Sequence, residues 1–353
     1  MLRARTSAFG GLFIVSAPQP MPIEHIGKEK VLRIRHATPE EDALAYARQI
    51  SLGVDSSYDF APNLLEIEGR HLHYVDEGPR DAAPILCLHG NPTWSYYWRG
   101  LISGLRSNHR VIAPDHMGMG LSEKPLDWPY RLEAHVGAME RLVIELDLTE
   151  ITLVVHDWGG AIGMGLAMRH PERIARIVVT NSAAFTEGPA HPSLVAAKLP
   201  GLNQILVRGM GLFNQAAVRF ATKGGLSEEE RRSYLAPYTS AAGRVGVQNF
   251  VKDIPLSPGH PSYHFLSIIE AGLAKIEHLP MQIIWGMQDW VFTPEFLQMW
   301  RDRFPGARVQ TIAHAGHLLM EDAGGEVLEV VKDFLASPAT PAGAAQVEAE
   351  AAR

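Results

Sequence analysis

Residues 154–161 read Val-Val-His-Asp-Trp-Gly-Gly-Ala, and no other stretch constrains the fold as tightly. The run Ile151-Thr-Leu-Val-Val155 is apolar and β-branched, the signature of a strand buried on both faces. A helix rich in small residues, Gly159, Gly160, Ala161 and Gly163, begins almost at once. The chain must therefore turn sharply at Asp157. The helix must also cross close to the sheet, where a bulky side chain would clash. A reactive side chain at the tip of such an elbow stands clear of the backbone. Asp157 could instead be the N-cap of an ordinary helix. The motifs that follow favour the elbow.

Around this point strands and helices alternate. Residues 65–75 read as two short alternating strands about Gly69. Pro84–Leu88 and Val111–Pro114 are short apolar runs. Val136, Met139, Val143 and Leu146 recur at helical spacing. The rhythm continues through Ile174–Thr180, Met281–Trp285 and Val309–Ile312, and ends in a helix carrying Val327, Val330, Val331 and Phe334. Such alternation implies an α/β fold with a mostly parallel central sheet and helices on both faces. Its core is expected at 61–182 and 279–336. The rhythm breaks over 183–278, read as an inserted helical lid over the carboxyl ends of the strands, where such sheets bind ligands. Residues 1–60 are expected to be an N-terminal extension of low order, and 337–353 a disordered tail.

Composition narrows the classes. Hydrophobic residues make up 46% of the 353 positions, enough for a large core, and the net charge is −7. Nucleic acid and anionic membrane are disfavoured as main partners, because both need clustered positive charge. No apolar run has the length of a membrane span. The single cysteine, Cys87, cannot form an intrachain disulfide, and a cytoplasmic location is expected. Arg3 and Arg5 precede an apolar stretch, Phe9–Ala17, broken by Gly10, Gly11 and Ser16 and followed by Pro18 and Pro20. This is read as a floppy leader or an overlong start rather than a signal peptide. Self-association as a homo-oligomer is left open.

On the elbow motif the chain resembles the α/β-hydrolase superfamily, over roughly Tyr58 to Leu335. Within it the resemblance is to the haloalkane dehalogenases and epoxide hydrolases, whose elbows carry aspartate. One departure is Val155, where serine hydrolases usually have glycine. The resemblance implies that the loop His89-Gly-Asn-Pro-Thr-Trp-Ser95 supplies a backbone N–H facing the nucleophile, paired with the N–H after Asp157. Asn91 and Trp158 also carry side-chain N–H donors suited to a departing halide. Within Ala313–Asp322 the superfamily places its catalytic histidine, and His317 fits better than His314. Asp289, four residues past the strand ending at Trp285, is expected to orient that histidine. The alternative place for the acid, Thr180–Ala184, holds no carboxylate. Asp115, in Pro114–Ser122, is given a structural turn. No cofactor is implied, and no third ligand stands at metal spacing from His314 and His317.

An ionised carboxylate needs no base to act as a nucleophile. The leading expectation is a haloalkane dehalogenase whose partners are a small apolar substrate and water. Asp157 would displace halide toward Asn91 and Trp158. His317 would then activate water against the resulting ester, with the backbone N–H groups of Asn91 and Trp158 stabilising the oxyanion. The alternative is a β-lactone decarboxylase forming long-chain alkenes. The strings Arg231–Tyr238, Phe250–Pro258 and Asn181–Phe185 resemble the bacterial enzymes of olefin biosynthesis. An epoxide hydrolase would need two of Tyr234, Tyr238 and Tyr263 aimed at the nucleophile. A non-catalytic binding relative would typically have lost a member of the set.

Overall fold

In a computed structural model of the chain, residues 38–338 are described. The expectations for the leader in 1–37 and for most of the tail, 339–353, lie outside them. Eight strands form one sheet: β1 (Asn63–Ile67), β2 (Arg70–Glu77), β3 (Pro84–Leu88), β4 (Arg110–Pro114), β5 (Ile151–Asp157), β6 (Ile174–Ser182), β7 (Met281–Gly286) and β8 (Arg308–Ile312). Their order is β1-β2-β4-β3-β5-β6-β7-β8. β2 runs antiparallel to both β1 and β4, and every other pairing is parallel.

Burial explains the sequence pattern. Every residue of β3, β5 and β7 is buried, so these central strands read as continuous apolar runs. The edge strand β8 buries only Ile312 and carries Arg308 and Gln310 outward. Helices Leu132–Glu145, Trp158–Arg169 and Pro261–Gly272 pack together as one layer. Helices Arg99–Leu105 and Leu319–Ala336 pack together as another. In the last helix Val327, Val331 and Phe334 are buried at the spacing of one helical face.

Residues 38–60 correct the expectation of low order. Pro39–Ser51 is a helix, opened by a capping box in which Thr38 and Glu41 bond each other's backbone N–H. It lies against β1 and β2. Beyond it Tyr58 and Phe60 enter the core.

The chain passes from β3 outward to β4 and returns across β3 to β5. The strand order therefore reverses between β3 and β5, and a crevice opens at their carboxyl ends. Between β6 and β7 all regular structure is helical: Pro192–Lys198, a π-helical turn at Asn203–Gly209, Leu212–Phe220, Glu228–Leu235, Val245–Asp253 and Pro261–Gly272. No helix among the described residues is long and apolar enough to cross a membrane.

Candidate active site

Each chemistry-bearing residue sits just past a strand on the carboxyl edge. β3 leads into Gly90 and Asn91, β5 ends on Asp157, and β6 ends at Asn181 and Ser182. β7 precedes Asp289, and β8 precedes His317. Asp157 has φ +50° and ψ −123°, a conformation that costs a non-glycine residue about 1–3 kcal/mol. Its surroundings hold it there. Ser182 Oγ donates to the Asp157 carbonyl at 2.5 Å. A Cβ on Gly90 would overlap the Asp157 carboxylate. The valine at the usual glycine position is accommodated from the other side: Gly163 has no side chain to meet Val155 Cγ1.

The carboxylate of Asp157 is gripped by backbone. The Asn91 N–H donates to Oδ1 at 2.6 Å, and the Trp158 N–H is close enough to favour the charged carboxylate. Oδ2 lies 3.8 Å from His317 Nε2. On the far side of the imidazole, His317 Nδ1 is 2.9 Å from Asp289 Oδ2. A carboxylate only accepts, so Nδ1 carries the proton and Nε2 faces Asp157. Asp289 is fixed in turn: Val291 N–H donates to Oδ1 at 2.6 Å and Asn181 Nδ2 to Oδ2 at 3.0 Å. Asn181 is itself pinned by the backbone of Gly286, donating to its carbonyl at 3.1 Å and accepting from its N–H at 2.8 Å. Asp157, Asp289 and His317 are all buried.

Burial raises the pKa of Asp157, and His317 and the two backbone N–H groups only partly oppose it. Burial alone would lower that of His317. The charge and hydrogen bond of Asp289, helped by Asp157, outweigh it and raise the imidazole above its ordinary value. The neighbouring His156, whose ring centroid is 4.8 Å from that of His317, is pushed well down by burial and by His317, and so stays neutral.

The side chains of Asn91 and Trp158 both reach the inserted helix Val245–Asp253. Asn91 Nδ2 makes a long 3.4 Å contact with the Val247 carbonyl, and its buried Oδ1 has no partner among the described residues. The Trp158 ring meets Phe250 edge-on at 5.3 Å. His314 is exposed, 3.4 Å from Glu326 and away from this cluster. Asp115 is fully buried and spent on structure, accepting from the N–H groups of Ser95 at 2.6 Å and Leu121 at 2.7 Å and lying 2.9 Å from His73 Nδ1. Two residues of the site were not singled out from sequence. Gly90 lies in the loop His89–Ser95, but only a three-dimensional clash marks it. Asn181 stands where a carboxylate was sought, and its amide holds Asp289 instead.

The family described as alpha/beta hydrolase fold matches residues 83–324. A cis-3-alkyl-4-alkyloxetan-2-one decarboxylase of Shewanella oneidensis is 42% identical over 294 residues, covering 81% of this chain and 92% of that one. A haloalkane dehalogenase of Psychrobacter cryohalolentis is 33% identical over 294 residues, covering 79% and 93%. The crystal structure of haloalkane dehalogenase DbeA from Bradyrhizobium elkani is similar with a TM-score of 0.71 at 25% identity, over 79% of this chain and 99% of that one. With a matching family over most of its length and relatives aligned nearly end to end, the chain is an enzyme and belongs to the α/β-hydrolase-fold family.

Proposed function

We propose that the chain is a β-lactone decarboxylase that converts a cis-3,4-dialkyl oxetan-2-one to an alkene and carbon dioxide, with Asp157 as nucleophile. The observation that carries this reading is the 42% identity to the oxetanone decarboxylase, against 33% to the dehalogenase, over equal lengths. It reverses the order expected from sequence, where the dehalogenase led. The site geometry serves both reactions, because both begin with a carboxylate attacking a saturated carbon.

The steps balance without water. Asp157 forms a C–O bond to ring carbon 4 as the bond from that carbon to the ring oxygen breaks. The electron pair leaves on the new carboxylate attached to carbon 3. The bond from carbon 3 to that carboxylate then breaks, and its electrons form the double bond between carbons 3 and 4. The C–O bond to Asp157 breaks in the same step, and its electron pair returns to Asp157. Inversion in the first step followed by anti elimination in the second carries a cis ring to a cis alkene. No proton moves. His317, whose imidazolium form is favoured by the charge and hydrogen bond of Asp289 and by Asp157, supports negative charge on the carboxylates that come and go beside it. Asn181 and Asp289 act through His317, by positioning it. Residues 183–278 serve as the lid that receives the alkyl arms, and the buried thiol of Cys87 is compatible with the cytoplasm.

The dehalogenase reading stays second, favoured by the donors of Asn91 and Trp158. The epoxide reading is weakened by its tyrosines. The Tyr234 hydroxyl is bonded to Glu321, and that of Tyr238 to the Thr93 carbonyl at 3.2 Å and the Gly120 N–H at 2.9 Å.

Turnover in ¹⁸O-water separates the first two readings. Ester hydrolysis puts water oxygen into the Asp157 carboxylate, whereas elimination returns it unlabelled. With a β-lactone carrying long alkyl arms, the expected result is alkene release and an unlabelled active-site peptide. Label in Asp157, or turnover of a 1-haloalkane alone, would sink the proposal.

A further inference from the structure

Half of the large apolar side chains exposed among the described residues fall between Val195 and Phe220. Leu199, Ile205, Met210 and Phe220 are 52%, 56%, 58% and 60% exposed. The surrounding stretch, residues 188–227, contains Lys198, Arg208, Arg219 and Lys223 and no aspartate or glutamate, in a chain with 39 acidic residues. The net charge of −7 is thus an average from which this segment departs. Lys198 Nζ and Arg208 Nε donate to backbone carbonyls, of Lys252 and Ala241, and Arg219 lies over the Phe220 ring at 5.8 Å. None of these contacts neutralises the positive charge.

The segment forms one outer layer. Helix Pro192–Lys198 and helix Leu212–Phe220 both neighbour the π-helical turn Asn203–Gly209, and the first helix and the turn rest on helix Val245–Asp253. Gln248 Nε2 of that helix donates to Gln204 Oε1 at 2.7 Å, and the Gln248 carbonyl accepts from Asn203 Nδ2 at 3.5 Å. Helix Val245–Asp253 is the one whose inner side meets Asn91 and Trp158. The apolar layer therefore lies one helix away from Asp157.

We propose that this layer docks the enzyme on an anionic lipid bilayer, with its apolar side chains in the headgroup region and its cations against lipid phosphates. Exposed apolar groups mixed with lysine and arginine, on a stretch with no acid of its own and with Asp322 and Asp253 the carboxylates beside Lys223 and Lys198, are the composition of an interfacial surface. A second copy of the chain is the weaker occupant, because a two-fold pairing would set the cations of both copies against each other. The inference holds for either substrate reading, since its test reads binding rather than turnover.

The test is flotation of the full chain with phosphatidylcholine vesicles made with and without phosphatidylglycerol. The chain is expected to float only with the anionic vesicles and to be released by salt. Arg208→Glu and Arg219→Glu should each weaken binding at least about fivefold. The triple change Ile205→Ser, Met210→Ser and Phe220→Ser should abolish flotation while leaving the circular dichroism melt in place. No flotation at low salt, or equal flotation with neutral vesicles, would overturn the proposal. So would light scattering that shows a dimer dissociated by the triple change while vesicles bind nothing, which would assign the face to a second copy.

Discussion

The carboxyl edge of the sheet and the insertion over it are built on different terms. At the sheet edge, Asp157, Asp289 and His317 are fixed by short hydrogen bonds from backbone and from Asn181, and a glycine makes the room. The insertion meets the same site through the long Asn91–Val247 contact and the Phe250 ring, and its outer helices leave apolar side chains in solvent. Near the loop after His317, a cavity of only about 10 Å³ separates Leu318 and Pro92 from Val218 and Tyr234 of the insertion, room for one water. One region is fixed by short hydrogen bonds, and the other meets it through a long contact and a ring edge.

The strongest way to break this comparison is to alter one residue on each side. Asp157→Asn should lower kcat on every substrate by about 10⁴-fold or more, since removing a nucleophile removes the route itself. Phe250→Leu should hold kcat on the best substrate within about tenfold while changing the preference between short and long alkyl arms. Kinetics across a chain-length series of β-lactones measures both. A uniform loss from Phe250→Leu would assign that ring to the chemistry and erase the division.

The same contrast governs what could be read from sequence. β3 coincides with the run Pro84–Leu88, because a strand buried on both faces writes its limits in apolar residues. The approach of Asp157, His317 and Asp289 was legible because each follows such a strand. Helix Pro39–Ser51 was missed although Thr38 and Glu41 spell its capping box. It buries little beyond Ala47, so it has no apolar stripe to read. Asn181 could not be read at all: its role comes from β6 and β7 being neighbours, a fact of topology. The order of the two substrate readings was not legible, because the elbow, the imidazole and the acid serve both reactions; the 42% and 33% identities favour the one placed second.

Acidity sharpens the comparison inside the sheet region. Asp157 must be ionised to attack, and burial raises its pKa above the ordinary carboxylate value. Activity should therefore climb about tenfold per pH unit on an acid limb placed above that value. The base side depends on His317, whose pKa is raised. Ester hydrolysis needs the neutral imidazole, so dehalogenation would keep rising as pH passes the raised pKa. Lactone elimination draws on the imidazolium, so it should fall over the same range. A pH profile of kcat with each substrate class checks the sign, and parallel slopes would refute the assigned roles.

The smallest expected effect concerns stability. The folded-state pKa of Asp157 lies above its unfolded value, so protonation favours the folded state. Its stabilising contribution is complete below the unfolded pKa and is lost as pH rises through the folded one. At neutral pH the ionised carboxylate is thus a net cost, even with His317 at 3.8 Å, because the raised pKa already includes that attraction. Asparagine in its place keeps an oxygen for the Asn91 N–H and removes the charge. Asp157→Asn should melt about 2 °C above the native chain at pH 7. The gap should close as pH falls and the native carboxylate takes up its proton. Scanning calorimetry at several pH values tests this. A lower melting temperature for the variant at pH 7 would mean that the charged elbow stabilises the sheet edge, and that its reactivity is held without cost to the fold.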